Sequence, residues 1–520
     1  MRQFCAAALA ALFLFIGLVS HASAQDITLR SRDGGVELTG TLLGFDGEFY
    51  RLQTQYGELT VDSSGVLCEG VGCPSLTDFV AELTVSGSET MGAVLMPALI
   101  EAFALRGGLT TSRETTGPDT FTYHLKEGGT GKTVGRFFFH LTNTDTGFAD
   151  LLSDNADIVM ALREIRRAEI TRAHEAGLGD LQKHNRSRVL ALDAMVPIVA
   201  PGNPVDAISP TDLSRILAGT LTNWATLGGP DAPISIHLRN PGSGLAQGVE
   251  DRLVKPARVT LTDGIIRHDS NTALAEAIAR DPFGIGLASY SEIGNTKPLD
   301  LTGPCGFRLN AARRTIKTED FPLTAPMFLY LPARRLPALA REFLAYTGST
   351  SAQIVIRRAG FVDQAPEEVP IDLQGDRFRN AIAVADGTSG LSELQRMAKT
   401  LSGKRRLTLS FRFEPGASRL DAQSRSNVQH LARALEAGTY DGRHMLFVGF
   451  SDGQGPAEGN LRIAQKRAEA VRLAVVEAAE TADLSRVVMA SDAFGEAMPM
   501  ACDDSTWGRQ ANRRVEVWLE

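Results

Sequence analysis

Arg239-Asn240-Pro241-Gly242-Ser243-Gly244 sets a guanidinium just before a tight Pro-Gly turn. The turn ends in a hydroxyl and several backbone N–H groups, and Leu245 to Leu253 then reads as a short helix. This combination can hold an anion. A helix start offers unpaired N–H donors and partial positive charge, and arginine adds a planar fork that fits an oxyanion. Taken alone, the six residues favour an ordinary surface turn with a solvated arginine over an anion site. Two similar units change the weighting. Leu83-Thr84-Val85 leads into Ser86-Gly87-Ser88-Glu89-Thr90 and then a run with Val94, Leu95, Leu99 and Phe103 at helical spacing. Thr144-Asp145-Thr146-Gly147-Phe148 leads through Leu151 to the strand-like Ala156-Asp157-Ile158-Val159-Met160. Ligands of open parallel sheets bind at the carboxyl ends of strands, so three such units can face one cleft.

Other chemistries find little support. Gly128-Gly129-Thr130-Gly131-Lys132-Thr133 is similar to a Walker loop, but Lys126 stands where that loop needs its first glycine. His174-Glu175 begins like a zinc-protease motif, and Leu178 occupies the second histidine position. The remaining histidines form no cluster along the chain. The expectation is therefore a binding protein with no catalytic residue, no metal and no cofactor. Trp224 is expected to pack rather than to contact a ligand.

These loops need a scaffold, and 520 residues allow three or more domains. A net charge of −8 and the absence of basic runs give no reason to expect nucleic acid or a basic membrane patch. Residues 1–24 read as a signal peptide. Arg2 supplies the positive start, Ala6 to Val19 the apolar run, and Ala22-Ser23-Ala24 the cleavage site. Export places the remaining cysteines in an oxidising compartment. Cys68 and Cys73 are expected to pair, whereas Cys305 and Cys502 either pair across domains or stay free.

Residues 25–76 read as a small β module. Strand-like runs Val36 to Leu43, Phe49 to Thr54 and Gly57 to Val61 are punctuated by Asp33-Gly34, Asp46-Gly47 and Tyr56-Gly57. Residues 77–364 alternate β-branched runs with helical stretches, which is the α/β pattern. Residues 365–403 read as a semi-ordered linker in which Leu391 to Leu401 can form one amphipathic helix. Residues 404–520 read as a βαβ-type domain. Its strands are Leu407 to Phe413, His444 to Phe450 and Arg514 to Leu519, and its helices are Asp421 to Leu435 and Leu461 to Ala478.

The stretch from about Phe79 to Phe361 resembles the phosphate-binding proteins of ABC transporters. Gly87-Ser88-Glu89-Thr90, Thr146-Gly147-Phe148, Ala156 to Arg163, Ala200 to Pro204, Ile216 to Gly219, Asn223-Trp224, Leu227 to Gly229, Arg239 and Ser243-Gly244 follow in that family's order. The resemblance implies two α/β lobes joined by crossover strands, closing on phosphate or a related oxyanion, with an ABC permease as a further partner. It implies Ser88, Thr90, Thr144, Arg239, Ser243 and Gly244 as anion-binding residues. The chain departs from the family at two places. Leu245 stands where a threonine is usual, and Leu162, followed by Arg163, stands where an aspartate accepts the proton of hydrogen phosphate. Glu89 and Asp145 are the candidate replacement acceptors. For Arg163 a salt bridge to a neighbouring acid is the alternative to a ligand role.

The last domain resembles the OmpA-like peptidoglycan-binding domain. Gly449-Phe450-Ser451-Asp452, Asn460, Arg467-Ala468, Gly508-Arg509 and Asn512 to Glu516 carry the likeness. It implies binding of wall diaminopimelate, with Asp452 taking the ammonium, Arg467 the carboxylate and Asn460 in support. The alternative is an ion pair between Asp452 and Arg467 that braces a strand–helix junction. The expected whole is an α/β multidomain protein. A two-lobed periplasmic-binding-protein fold follows the β module and precedes the OmpA-like domain, in a protein of the Gram-negative periplasm held to peptidoglycan. A structural, envelope-organising protein that has lost its anion is the competing expectation, favoured by Leu162 and Leu245.

Overall fold

A computed structural model of the chain describes residues 26–183, 185–385, 387–414 and 419–520, without the side chains of 387–389. The expected signal peptide lies outside the described residues. Five antiparallel strands form the N-terminal sheet, in the order Gly57–Asp62, Phe49–Thr54, Glu37–Phe45, Asp26–Ser31, Val66–Glu69. The first and last of these in the chain were not anticipated, because their apolar residues are too few to stand out. Ile27, Leu29, Tyr50 and Leu52 form its small core. Gly47 turns the central hairpin at φ +94°, a conformation that side chains rarely adopt. Cys68 and Cys73 are disulfide-bonded, with Cα atoms 5.8 Å apart.

The α/β region is built on one continuous sheet. Its path runs Ile265–His268, Ser235–Arg239, Gly284–Ser289, Ser187–Val199, Thr324–Tyr330, Ile158–Ala161, Ala81–Ser88, Thr133–Thr142, Thr120–Glu127, Leu109–Thr115. Ser187–Val199 crosses between the lobes. Its first part pairs with Thr324–Tyr330 and its last part with Gly284–Ser289. Buried from Val189 onward, it reads as a continuous apolar run because helices cover both faces of such a sheet. Trp224 is fully buried, and its indole N–H donates to Phe283 O at 2.9 Å. It packs as expected.

The C-terminal sheet has the order Glu368–Pro370, Arg405–Arg412, Arg514–Leu519, His444–Phe450, Val488–Gly495. Helices Ala422–Glu436 and Ala457–Ala478 cover one face over Leu409, Phe411, Phe447 and Val517. The segment expected as a semi-ordered linker is more structured than that. It supplies the edge strand Glu368–Pro370 and helices Gly375–Val384 and Gly387–Leu401, whose Ala381, Leu394, Met397 and Leu401 cover Val448, Phe450, Phe494 and Trp518 on the opposite face. An apolar second face must be covered, and a sequence read one segment at a time does not show that need.

The C-terminal domain is docked onto the α/β region by buried charge. Asp320 accepts from Arg406 at 2.9 Å and lies 3.6 Å from Arg412. Arg406 also reaches Glu516, which holds Arg514 at 2.7 Å and pairs with Arg377. Arg514 and Glu516 are fully buried. Burial alone would raise the Glu516 carboxyl; the guanidinium groups of Arg377, Arg406 and Arg514 outweigh it and hold the group far below the usual carboxylate range. Cys305 and Cys502 form a second disulfide across the same junction, with Cα atoms 5.6 Å apart.

Candidate functional site

The first glycine-hydroxyl loop leaves the end of Ala81–Ser88, which runs parallel to Ile158–Ala161. Gly87 is left-handed at φ +122°, and a Cβ there would stand 2.2 Å from Met160 O. Only glycine allows these strands to approach so closely. The next residue, Ser88, is fully buried, and its hydroxyl accepts weakly from Met91 N at 3.4 Å. Thr90 is buried on the same loop.

The second loop starts helix Thr144–Leu152, capped by Asn143, whose side chain accepts from Thr146 N at 3.0 Å. Thr144 is fully buried, and its hydroxyl accepts from Leu162 N at 3.0 Å. A Cβ on Gly147 would stand 2.9 Å from Gly87 Cα, so these two loops touch.

The third loop belongs to the other lobe. Ser243 caps helix Gly244–Val249, its hydroxyl accepting from Ala246 N at 3.2 Å. A Cβ on Gly244 would stand 3.1 Å from Leu162 Cδ1 and 3.7 Å from Ser88 Oγ. Asn143 Nδ2 donates to Gly242 O at 2.9 Å. The structure therefore brings Ser88, Thr144, Ser243 and Gly244 to one buried seam between the lobes, with Leu162 in it.

Arg239, at the end of Ser235–Arg239, is 4 % exposed. Four of its five N–H donors are spent on protein. Nε donates to His268 O at 3.1 Å, Nη1 to Asn271 Oδ1, and Nη2 to Asp269 O at 2.8 Å and Glu89 Oε2 at 2.7 Å. Glu89 sits between Ser88 and Thr90, so this ion pair crosses from the first loop to the second lobe. A carboxylate thus rests on the guanidinium that the sequence assigns to an anion.

The other candidate acceptor, Asp145, is engaged elsewhere. It pairs with Arg163 and with Arg166, the latter at 3.0 Å. Burial works to raise its carboxyl, and the two guanidinium groups more than offset this and leave it lowered. Arg163 also binds Glu169 at 2.7 Å and Glu164 O at 2.9 Å, so it belongs to an ion-pair network. Leu245 faces the core and is buried.

The sequence reading found no histidine cluster; the structure forms a pair. His237 and His268 stack with ring centroids 5.2 Å apart, joined by a 2.9 Å hydrogen bond, and His237 Nε2 lies 3.0 Å from Asp281 Oδ2. They lie on adjacent parallel strands behind Arg239. Thirty-one residues separate them in sequence, and only strand pairing reveals the contact. No group of side chains arranged to hold a metal occurs among the described residues.

In the C-terminal domain Asp452 is buried and pairs with Arg513 at 3.2 Å. The expected alternative, an Asp452–Arg467 ion pair, is not formed. Arg467 stands with its guanidinium 5.2 Å from the Phe413 ring centroid. Burial lowers its proton affinity, the charge of Arg513 lowers it further, and Asp452 opposes both. Asn460 Nδ2 donates to Glu496 Oε2 at 3.0 Å. Two residues not anticipated complete the surround. Asp503 accepts from Gly453 N at 2.6 Å, and Arg513 holds Asp452. Arg513 was visible in the Asn-Arg-Arg motif, but its partner was not.

A family model described as the PBP superfamily domain matches residues 80–350. The chain belongs to that superfamily. A second model, the OmpA family, matches residues 412–513. The phosphate-binding protein PstS of Borreliella burgdorferi is 24% identical over 191 residues, which cover 35% of this chain and 67% of that protein. The protein of the same name from Bacillus subtilis is 27% identical over 189 residues, 36% of this chain and 60% of that protein. An ABC-type phosphate transport receptor from Vibrio cholerae aligns at 20% identity over 54% of this chain and 99% of its own, with a TM-score of 0.41. These relatives are named as binding proteins and a transport receptor, and none of the three as an enzyme.

Proposed function

We propose that this PBP-superfamily protein closes its two lobes on phosphate or a related oxyanion, and is held non-covalently to peptidoglycan by its OmpA-family domain. The observation that carries the first part is the convergence of Ser88, Thr144, Ser243 and Gly244 beside Arg239 in one buried seam. Hydroxyl and backbone N–H donors in the seam, beside the charge of Arg239, offset the desolvation of an anion. The names of the sequence relatives support phosphate as the first candidate. The seam's Glu89 takes the role of a proton acceptor, which the leucine at 162 cannot fill. The C-terminal half rests on Asp452 and Arg467 standing near each other without pairing to one another, Asp452 held instead by Arg513, so that the ammonium and carboxylate of diaminopimelate can engage them, with Asn460 in support. Export by the N-terminal leader would place the protein in the periplasm of a Gram-negative envelope, where an ABC permease is the natural receiver of a released anion.

Thermal unfolding with phosphate, sulfate, arsenate and molybdate in turn tests the cleft. An anion at a hundred times its Kd adds about 2.7 kcal/mol of stability. No rise with any anion refutes this reading. It would favour the second one, an envelope-organising module whose lobes no longer bind. The engagement of four of the five Arg239 N–H groups by protein partners is the observation that favours that alternative. For the wall, Asp452→Ala with Arg467→Ala should abolish co-sedimentation with diaminopimelate-type peptidoglycan, and undiminished pelleting refutes the assignment.

A further inference from the structure

A small cavity of about 70 Å³ lies at the junction of the α/β region and the C-terminal domain, away from both sites above. Arg188 on the crossover strand Ser187–Val199, Gly348 in a turn, and Arg425, Gln429, His430 and Arg433 on helix Ala422–Glu436 line it. No carboxylate is among its described lining residues.

Three arginines at one small cavity call for counter-charge. Arg425 has its own, from Glu164 at 3.3 Å and Glu414 at 3.6 Å. Arg188 has a single hydrogen bond, Nη1 to Leu344 O at 3.0 Å. Among the described residues no carboxylate stands within ion-pairing distance of Arg188 or Arg433. Burial lowers the proton affinity of Arg188, and the charge of Arg433 lowers it further. Burial, followed by Arg433 and Lys317, drives His430 down to about 4, so at neutral pH it is an uncharged imidazole with one N–H to give. Lys317 is itself neutralised by Asp363 at 2.9 Å and Glu367 at 2.7 Å.

A half-buried guanidinium without an acid, as at Arg188, is costly, and that cost falls when an anion joins it; Arg433, exposed at the cavity rim, adds a second unpaired charge beside it. Two planar forks with an imidazole N–H match a tetrahedral oxyanion, and the cavity has room for one inorganic ion. We infer that Arg188 and Arg433, with His430, form a second oxyanion site that takes one inorganic phosphate or sulfate ion and clips the OmpA-family domain to the binding lobes. The site stands on its own geometry and does not depend on the cleft reading.

The experiment counts ions. Equilibrium dialysis of the purified full chain against millimolar labelled sulfate or phosphate gives the number bound per chain. Arg188→Gln with Arg433→Gln should bind one ion fewer than the wild type. Arg433→Glu supplies the missing acid to Arg188 in place of the ion. It should also bind one fewer, and in anion-free buffer it should unfold at a temperature equal to or above that of the wild type. An unchanged count in both variants overturns the site, as does a wild type that binds no ion. An Arg433→Glu protein less stable than wild type without anions overturns it too, because Arg433 would then be held by protein contacts.

Discussion

Glu89→Gln is the most informative substitution, because it asks what a carboxylate is doing on the anion's arginine. The Arg239 side chain is 4 % exposed and that of Glu89 37 %, so the pair has one dry end and one wet end. A dianion between Arg239 and the Gly244 turn would lie about 5 Å from the Glu89 carboxylate, and even full water-like screening, a lower bound for this seam, makes that repulsion about 1.7 kcal/mol, roughly 20-fold in Kd. Sulfate, fully ionised, feels all of it. Hydrogen phosphate can donate its proton to Glu89 and recover a charge-assisted hydrogen bond of about 1.5–3 kcal/mol. Glu89→Gln should therefore tighten sulfate roughly 20-fold and change phosphate by less than about threefold, or weaken it. Titration calorimetry at pH 7.5 with both anions reads the ratio. A sulfate affinity that does not improve refutes the argument. Equal improvement for both anions refutes the selective role and leaves Glu89 as a plain competitor for Arg239.

Three further outcomes follow from packing and charge. Cys305→Ser with Cys502→Ser removes a bridge spanning 197 residues and should cost about 2–4 kcal/mol, seen as a lower urea midpoint. An unchanged midpoint would show that the buried charges alone secure the junction. Asp320→Asn strips Arg406 and Arg412 of their shared acid and should cost about 3 kcal/mol in the same assay. Asp193, on the crossover strand, is raised by burial to about 6 despite accepting from Ser289 and Ala194 N. Its folded form holds a proton that the unfolded chain releases above its ordinary 3.8. This group's contribution to stability is therefore fully present below about pH 4 and falls by about 3 kcal/mol as pH rises through 6. Asp193→Asn should flatten that slope in stability measured from pH 4 to 7, and an unaltered slope would refute the assignment.

The chain's local patterns made the architecture legible to an unusual depth. Glycine-hydroxyl turns after β-branched runs gave the α/β pattern, and the lobes and the identity of the last domain came from the family resemblances that those turns and the spacing from Asp452 through Asn460 to Arg467 carry. A backbone demand underlies the first signal. Gly87 must be glycine because Met160 O leaves no room for a Cβ. The connector failed to announce itself, since Leu394, Met397 and Leu401 have meaning only against Phe450 and Trp518 some fifty or more residues away. The pairing of Cys305 with Cys502 was equally undetermined, because two cysteines 197 positions apart carry no distance information.

By itself the sequence determined which loops can present donors to an anion, because conformation at a glycine turn and the start of a helix are local properties. Only the tertiary structure decided what those donors meet. Strand pairing set His268, Asp269 and Asn271 around Arg239, and lobe closure laid Glu89 upon it. Strand and helix packing also gathered Arg188 and Arg433 at one cavity without an acid. Charge acts through space over a few ångströms and is blind to sequence distance, so a guanidinium can be read from the chain while its counter-charge cannot.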